Sequence, residues 1–186
     1  MSRNFGDREG SNLRRPPLAV VLVAVVVIAL GETGGAAMSR LKPQIGRYVA
    51  ARVAANPQTH GLSGSAEYDD EVRDRAVFAV EAGLSFFHTH AEGVGLIVFF
   101  ASSLVASVVP WRRARTALYV ALTAGGLFPL GYLVYGVAVL EAGRDAGIEL
   151  AERWVLTPLG SAAILGLIGL ALAIFLTLLR AQEPLE

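Results

Sequence analysis

Apolar residues gather into four runs along the chain, and stretches rich in charge, proline and glycine separate these runs. A helix of about 20 apolar residues crosses the roughly 30 Å hydrocarbon core of a bilayer. The runs occupy residues 17–37, 76–110, 116–140 and 154–180. The pattern predicts an all-α fold, an integral membrane four-helix bundle that forms a single membrane domain over residues 1–186.

The first run is the shortest, because its strongly apolar part ends at Leu30 and residues 31–37 must complete the span. We expect it to be a retained helix that follows a cytoplasmic tail of residues 1–16. A basic arm, a short apolar core and the small residues 34–37 are also typical of a secretory signal peptide. Cleavage of this run is therefore the alternative.

Residues 38–75 form an extramembrane loop segment of about 40 residues between the first two helices, with mixed charge, prolines and glycines. Within it, residues 40–55 carry apolar side chains at helical spacing with basic residues between them. That pattern predicts a short amphipathic helix on the membrane surface. His60 follows in a turn-rich stretch, where we expect a solvated loop histidine.

The second and third runs each carry a further structural signal. The second is longer than a bilayer requires, so we expect one helix over residues 70–110 whose first turns project into water. The third contains Gly125, Gly126 and Pro129, residues that loosen or kink a membrane helix.

The orientation follows from the basic residues beside the short loops. Residues 111–115 contain three arginines and no acid, whereas residues 141–153 contain two arginines and four acids. We therefore expect a cytoplasmic turn at 111–115 and a cytoplasmic tail at 181–186. Residues 38–75 and the loop 141–153 are expected on the outer side.

Composition narrows the function classes. The formal net charge is zero, so no global field attracts nucleic acid. The chain has no cysteine, which excludes disulfides, covalently attached c-type haem, iron–sulfur clusters and thiolate metal sites. Arginine far outnumbers lysine, and alanine, valine, glycine and leucine dominate. This bias is in keeping with a GC-rich bacterial genome, and hence with a bacterial plasma membrane.

Two histidines and a glutamate lie inside the second run, where ionisable groups are costly and indicate a functional site. Successive helical residues turn by about 100°, so His88 and Glu92 share a face while His90 points roughly 200° away from His88. One ion is therefore not readily bound by both histidines. The candidate ligands of a transition metal (Cu, Fe or Zn) are His88 with Glu92, or alternatively His90. Further oxygen donors are Glu32, Tyr132, Tyr135 and Glu141.

Haem is the alternative cofactor, with His88 and His90 as axial ligands of different b-type haems. Gly93 and Gly95 would leave room for a flat macrocycle or for a closely packed helix.

The segment from His88-Thr89-His90 to Gly95 resembles the helix that serves two haems in the haem-copper oxidase and nitric-oxide reductase superfamily. It is also similar to the His-Thr-His segments of small four-helix membrane proteins related to that superfamily. The resemblance covers only this segment, and it implies His88 and His90 as haem-iron ligands. The superfamily's other histidine ligands, including those for copper, have no counterpart here, so oxidase activity is not implied.

Three functions follow as hypotheses. The first is a haem- or metal-binding electron-transfer or accessory component of a respiratory complex, with other membrane subunits or a second copy as partners. The second is a proton, cation or small-solute pathway lined by Glu32, Glu92 and Glu141. The third is a structural or assembly subunit. The chain has no Ser-His-Asp arrangement, Walker loop or His-Glu-x-x-His motif, so we do not expect catalysis by this chain alone.

The predicted orientation can be tested directly, because the absence of native cysteine makes single-cysteine variants unambiguous. In cells treated with a membrane-impermeant maleimide, His60→Cys and Ala146→Cys should be labelled, and Arg112→Cys should be protected until the membrane is opened. Protection of residue 60 in intact cells would contradict the outer placement of residues 38–75.

Overall fold

The computed structural model describes residues 15–181, and this part of the chain is helical throughout except for short connections. The predicted all-α fold is confirmed. The helices are α1 (Leu18–Ala55), α2 (Pro57–His60), α3 (Ala66–Val108), α4 (Arg112–Gly126), α5 (Leu130–Ala142), α6 (Arg144–Ala151) and α7 (Thr157–Ala181), with a π-helical turn (Glu152–Leu156) between α6 and α7. Most of the two predicted tails lies outside the described residues.

Four helical segments of the described chain are long and apolar enough to cross a membrane, which suggests a multi-pass membrane protein. They are Leu18–Ala55, Ala66–Val108, Arg112–Ala142 and Arg144–Arg180. Their order matches the four apolar runs of the sequence. We refer below to the two ends of the bundle as the Trp111 end and the His60 end.

The first two of these segments are much longer than a bilayer is thick. α1 has 38 residues and α3 has 43, so at 1.5 Å per residue they measure about 57 and 65 Å, against a hydrocarbon core of about 30 Å. The separate surface helix predicted for residues 40–55 is not observed, because α1 continues through Pro43 to Ala55. Most of the predicted loop segment is therefore a helical hairpin, with its turn at residues 56–65.

Packing explains why residues 40–55 stay on the bundle. Val49 and Val53 of α1 are buried in a cluster with Ala76 of α3 and Leu140 of α5. Part of the apolar face of this amphipathic segment is therefore covered by protein, whereas Leu41 and Tyr48 stay exposed. Periodicity in the sequence locates such a face but does not distinguish a lipid surface from a neighbouring helix.

The turn at the His60 end packs against α5. His60 is the last residue of α2, is partly buried, and has its Nε2 3.2 Å from the carbonyl oxygen of Leu140. The expectation of a solvated loop histidine is therefore wrong. Beside it, Arg52 donates two hydrogen bonds to the carboxylate of Glu141, at 3.2 and 2.8 Å. These contacts join the α1–α3 hairpin to the end of α5.

The predicted kink in the third segment is confirmed by a break between α4 and α5. Pro129 has no N–H to continue the helical hydrogen-bond pattern. The chain instead makes tight turns in which the N–H groups of Leu130 and Gly131 bond to carbonyls three residues earlier, at 3.0 and 2.9 Å. The break directs the side chains of Phe128 and Tyr132 towards α3, where their rings approach His90.

The contact between α1 and α3 depends on small residues. A Cβ placed on Gly31 would lie 2.5 Å from the Cβ of Ala91, and one placed on Gly95 would overlap the side chain of Ile28. Such close backbone approach through glycine is a common mode of packing between membrane helices. Gly93, in contrast, has no atom within 4 Å of its missing Cβ. The sequence predicted room for a macrocycle or a packed helix at these two glycines. At Gly95 that room is filled by α1, and at Gly93 it is open.

This difference gives a matched pair of variants on one helix. Gly95→Leu should force α1 and α3 apart and lower the free energy of unfolding by about 1–3 kcal/mol, the usual cost of overpacking. Gly93→Leu should leave stability nearly unchanged, because its side chain enters open space. Thermal unfolding of the detergent-solubilised variants, followed by circular dichroism, measures both. Equal stability of the two variants would contradict the described α1–α3 contact.

Candidate metal site between α1 and α3

Three side chains converge where α1 and α3 are in close contact. Glu32 on α1 and the pair His88 and Glu92 on α3 each place one ligand atom so that all three lie within 4.8 Å of one another. His88 and Glu92 are one helical turn apart, and the His88 Nδ1 lies 3.3 Å from the Glu92 Oε1. Glu32 joins them because its neighbour Gly31 lets the α1 backbone reach Ala91.

The His88 imidazole lies against the backbone of α1. Its Nδ1 is 3.0 Å from the carbonyl oxygen of Gly31. A Cβ on Gly35 would lie 2.6 Å from the ring's Cε1, so the ring occupies the space that a side chain at Gly35 would fill. The position of the imidazole therefore depends on glycine at residue 35.

The hydrogen bond to Gly31 indicates which ring nitrogen is free. Nδ1 faces two acceptors, the Gly31 carbonyl and the Glu92 carboxylate, so the proton of a neutral ring belongs on Nδ1 and Nε2 keeps its lone pair. A metal bound through Nε2 would retain the Nδ1–H to carbonyl bond, the usual outer-sphere support of a metal-binding histidine, and would require the Glu92 carboxylate to turn from Nδ1 towards Nε2. Binding through Nδ1 would cost that bond.

The charges at the site favour a cation. Two glutamates and a neutral imidazole give the group a formal charge of −2. The site is open on one side, since the side chains of His88 and Glu92 are 35% and 40% exposed. Like charges held this close repel each other. A divalent cation would neutralise the group.

His90 lies on another face of α3 and does not join this group. Its Nδ1 is 2.8 Å from the carbonyl oxygen of Phe86 on its own helix. Its ring lies among three aromatic rings, those of Phe86, Phe128 and Tyr132, with centroid distances from 4.8 to 6.1 Å. The two histidines thus point to different helices, His88 to α1 and His90 to α5, as the helical geometry predicted.

The other predicted oxygen donor, Glu141, is also placed elsewhere. Its carboxylate pairs with Arg52 near the His60 end of the bundle. Glu32 and Glu141 were both proposed from the sequence as further donors. Glu32 lies beside His88 and Glu92, whereas Glu141 lies outside this group.

One polar pair near the site was not predicted from the sequence. Lys42 of α1 and Glu81 of α3 form an ion pair, with Nζ 3.2 Å from Oε2. The sequence does contain a pattern that could have indicated it. Polar residues recur on α3 at spacings of four, three and four, and so share a helix face: Glu81, Ser85, His88 and Glu92. On α1, Glu32, Ser39 and Lys42 recur with similar spacing. We call these seven residues the polar seam: Glu32, Ser39, Lys42, Glu81, Ser85, His88 and Glu92.

The polar seam ends abruptly on the Trp111 side of Glu92. The next α1–α3 contacts are made by the side chain of Ile28 at Gly95 and by a buried cluster of Val20, Ala24 and Val98. These contacts are apolar and closely packed. The polar seam therefore lies between two apolar parts of the described α1–α3 contact, the buried cluster of Val49, Val53 and Ala76 towards the His60 end and these contacts towards the Trp111 end.

No protein-family model, curated protein or solved structure matches the chain.

The position of the His88 ring can be tested by adding one methyl group. Gly35→Ala should displace the imidazole and break its bond to the Gly31 carbonyl, because the new Cβ would overlap the ring. The matched control is Gly46→Ala on the same helix, where a Cβ makes only an ordinary 3.6 Å contact with Val77.

The measurement is ¹⁵N NMR of the imidazoles, which is simple in a chain with three histidines. In the parent protein the His88 signal, assigned with His88→Ala, should report a proton on Nδ1. Gly35→Ala should change that signal and leave those of His60 and His90 in place. An unchanged His88 signal would contradict the described packing.

Proposed function

We propose that this chain is a multi-pass protein of the bacterial plasma membrane that binds a divalent transition-metal ion through Glu32, His88 and Glu92. The observation that carries the proposal is the convergence of the three ligand atoms, contributed by two helices, within 4.8 Å. One imidazole nitrogen and two carboxylate oxygens are suitable donors for Zn²⁺, Fe²⁺, Mn²⁺ or Cu²⁺.

The donor set supports a metal ion over haem. Haem iron in proteins takes axial ligands such as histidine, methionine, cysteine or tyrosine. Here a carboxylate oxygen lies 3.3 Å from the His88 imidazole, and a second carboxylate lies in the same group. His90, the other haem-ligand candidate, has its ring among three aromatic rings. These surroundings suit a small hydrated cation at His88 better than a macrocycle.

The surroundings of the site also support a binding site over a path through the membrane. A path lined by Glu32, Glu92 and Glu141 would need polar groups on both sides of the cluster. Glu141 is paired with Arg52, and the contacts beyond Glu92 towards the Trp111 end are apolar and closely packed. A bound ion would instead link α1 to α3.

The open side of the site suggests how the ion would be used. Three protein donors leave at least one position of a tetrahedral ion free, and more of an octahedral one. His88 and Glu92 are partly exposed, so water or a neighbouring subunit can occupy those positions. This arrangement suits an electron-transfer or accessory role within a larger membrane assembly.

The proposal is tested by measuring metal bound to purified protein. After treatment with a chelator, the detergent-solubilised chain should rebind about one Zn²⁺, Mn²⁺, Fe²⁺ or Cu²⁺ per chain, measured by equilibrium dialysis and mass spectrometry. Glu32→Gln, His88→Ala and Glu92→Gln should each weaken binding by at least about 10- to 100-fold, since loss of an outer-sphere partner alone costs that much. His90→Ala is the matched control and should bind as the parent does.

Two results would contradict the proposal. One is a folded parent protein that binds none of these ions. The other is a haem absorption spectrum that disappears in His90→Ala, because His90 lies outside the three-residue group.

A further inference from the structure

The candidate metal site opens at the surface of the bundle. Glu32 is exposed, and the side chains of His88 and Glu92 are 35% and 40% exposed. On the same side of α3, Thr89 and Gly93 are exposed as well. We call this surface the open face; it comprises Glu32, His88, Thr89, Glu92 and Gly93. The three donors are therefore accessible to whatever packs against this side of the α1–α3 pair.

In a membrane-spanning bundle the open face lies at membrane depth. Glu32 follows the start of α1 at Leu18 by 14 residues, and Glu92 precedes the end of α3 at Val108 by 16 residues. At 1.5 Å per residue, these intervals place the two carboxylates about 21 and 24 Å from the Trp111 end. Both distances fall within a hydrocarbon core of about 30 Å. Lipid would therefore surround both carboxylates of a single chain.

Charged groups at membrane depth almost always face the interior of a bundle or a water-filled cavity. Here the three donors carry a formal charge of −2 and lie at the surface of the chain. A bound divalent ion neutralises that charge, but three protein donors still leave at least one coordination position open. The open face is therefore best covered by a protein surface that brings polar donors to the same depth.

A second copy of this chain provides such a surface. In a dimer with a two-fold axis along the bundle, each copy turns the same face to the other, so equivalent residues meet at the same depth. Two empty open faces repel each other because each carries −2, and one divalent ion on each copy neutralises both. A partner with a basic residue at this position would instead compete with the metal for the carboxylates. The charge therefore favours a second copy that associates when both sites are loaded.

The side of α3 that carries the open face is suited to contact with another helix. Gly93 has no atom within 4 Å of its missing Cβ, so a neighbouring backbone can approach there. Thr89, Leu96 and Ser103 follow at intervals of seven residues and so form one line along the helix. The two hydroxyls of this line already donate to carbonyls of α3, and Leu96 is 63% exposed. A second α3 packed along this line would cover it without leaving a hydroxyl donor unpaired.

We infer that two copies of this chain associate through the open face when each has bound a divalent metal ion, and that Glu92 of each copy supplies an oxygen ligand to the ion of the other. Glu92 takes this role because it is the carboxylate on α3, the helix at the contact, whereas Glu32 is on α1. This inference rests on the proposed function. Metal binding and assembly are then coupled, because each strengthens the other.

The first test uses the full chain in detergent, stripped of metal and then loaded with Zn²⁺, with its oligomeric mass measured by light scattering. The stripped chain should be monomeric, and Zn²⁺ should lower the dissociation constant of the dimer by at least about tenfold, within the usual range for coupled binding events. Gly93→Leu should bind Zn²⁺ and remain monomeric, because leucine fills the contact. Ser161→Leu, at an exposed position of α7, is the matched control and should dimerise as the parent does.

The second test locates the contact in native membranes. Because the chain has no cysteine, Ser103→Cys provides a single thiol on the α3 line, away from the metal donors. A membrane-permeant oxidant should link two copies through this thiol, and removal of the metal with a chelator should lower the yield by at least about fivefold, the low end of the same coupling range. Ser161→Cys is the matched control and should give no linked dimer.

Several results would overturn the inference and leave the metal site in place. One is a parent chain that binds Zn²⁺ but stays monomeric, with no linked dimer from Ser103→Cys. Another is a dimer that persists in Gly93→Leu or that is linked through Ser161→Cys, since the contact would then lie elsewhere. A third is linkage of Ser103→Cys to a different membrane protein in place of a second copy. If the parent binds no Zn²⁺, Mn²⁺, Fe²⁺ or Cu²⁺, the inference falls together with the proposed function.

Discussion

The close approach of α1 and α3 is the contact on which both the fold and the candidate site depend. Gly31 lets the α1 backbone touch Ala91, and Gly35 leaves the space that the His88 ring occupies. Glu32 is adjacent to Gly31 in sequence, so the same contact brings its carboxylate to Glu92. A helix pair held farther apart by larger side chains would separate the donors and remove the carbonyl partner of His88.

The polar groups at this contact constrain what the protein can do. An imidazole and two carboxylates lie within helices that are apolar enough to cross a membrane, where uncompensated charge is costly. Farther along the same seam the charge of Glu81 is compensated by Lys42, whereas Glu32 and Glu92 have no such lysine or arginine partner among the ion pairs of the described chain. A bound divalent cation would provide that compensation. The apolar contacts between Glu92 and the Trp111 end favour a metal-binding site over a path for ions through the membrane.

The apolar runs predicted the four long helices, Pro129 and the glycines before it predicted the break, and helical periodicity predicted the separate directions of His88 and His90. None of these patterns provides the register between helices. Glu32 and Glu141 were equivalent candidates in the sequence, and only the packing of α1 on α3 and α5 places one at the site and the other beside Arg52. For the same reason the sequence did not separate a helix lying on lipid from the α1 extension that packs on protein.

In the proposed site, donors from α1 and α3 bind one metal ion together, and X-ray absorption at the zinc edge of Zn²⁺-loaded protein identifies those donors. We expect scattering from a single imidazole at about 2.0–2.1 Å together with oxygen ligands at about 2.0–2.2 Å. In Glu32→Gln the imidazole should remain and the oxygen shell should change. Scattering from two imidazoles, or from none, would contradict the assignment of the ion to Glu32, His88 and Glu92.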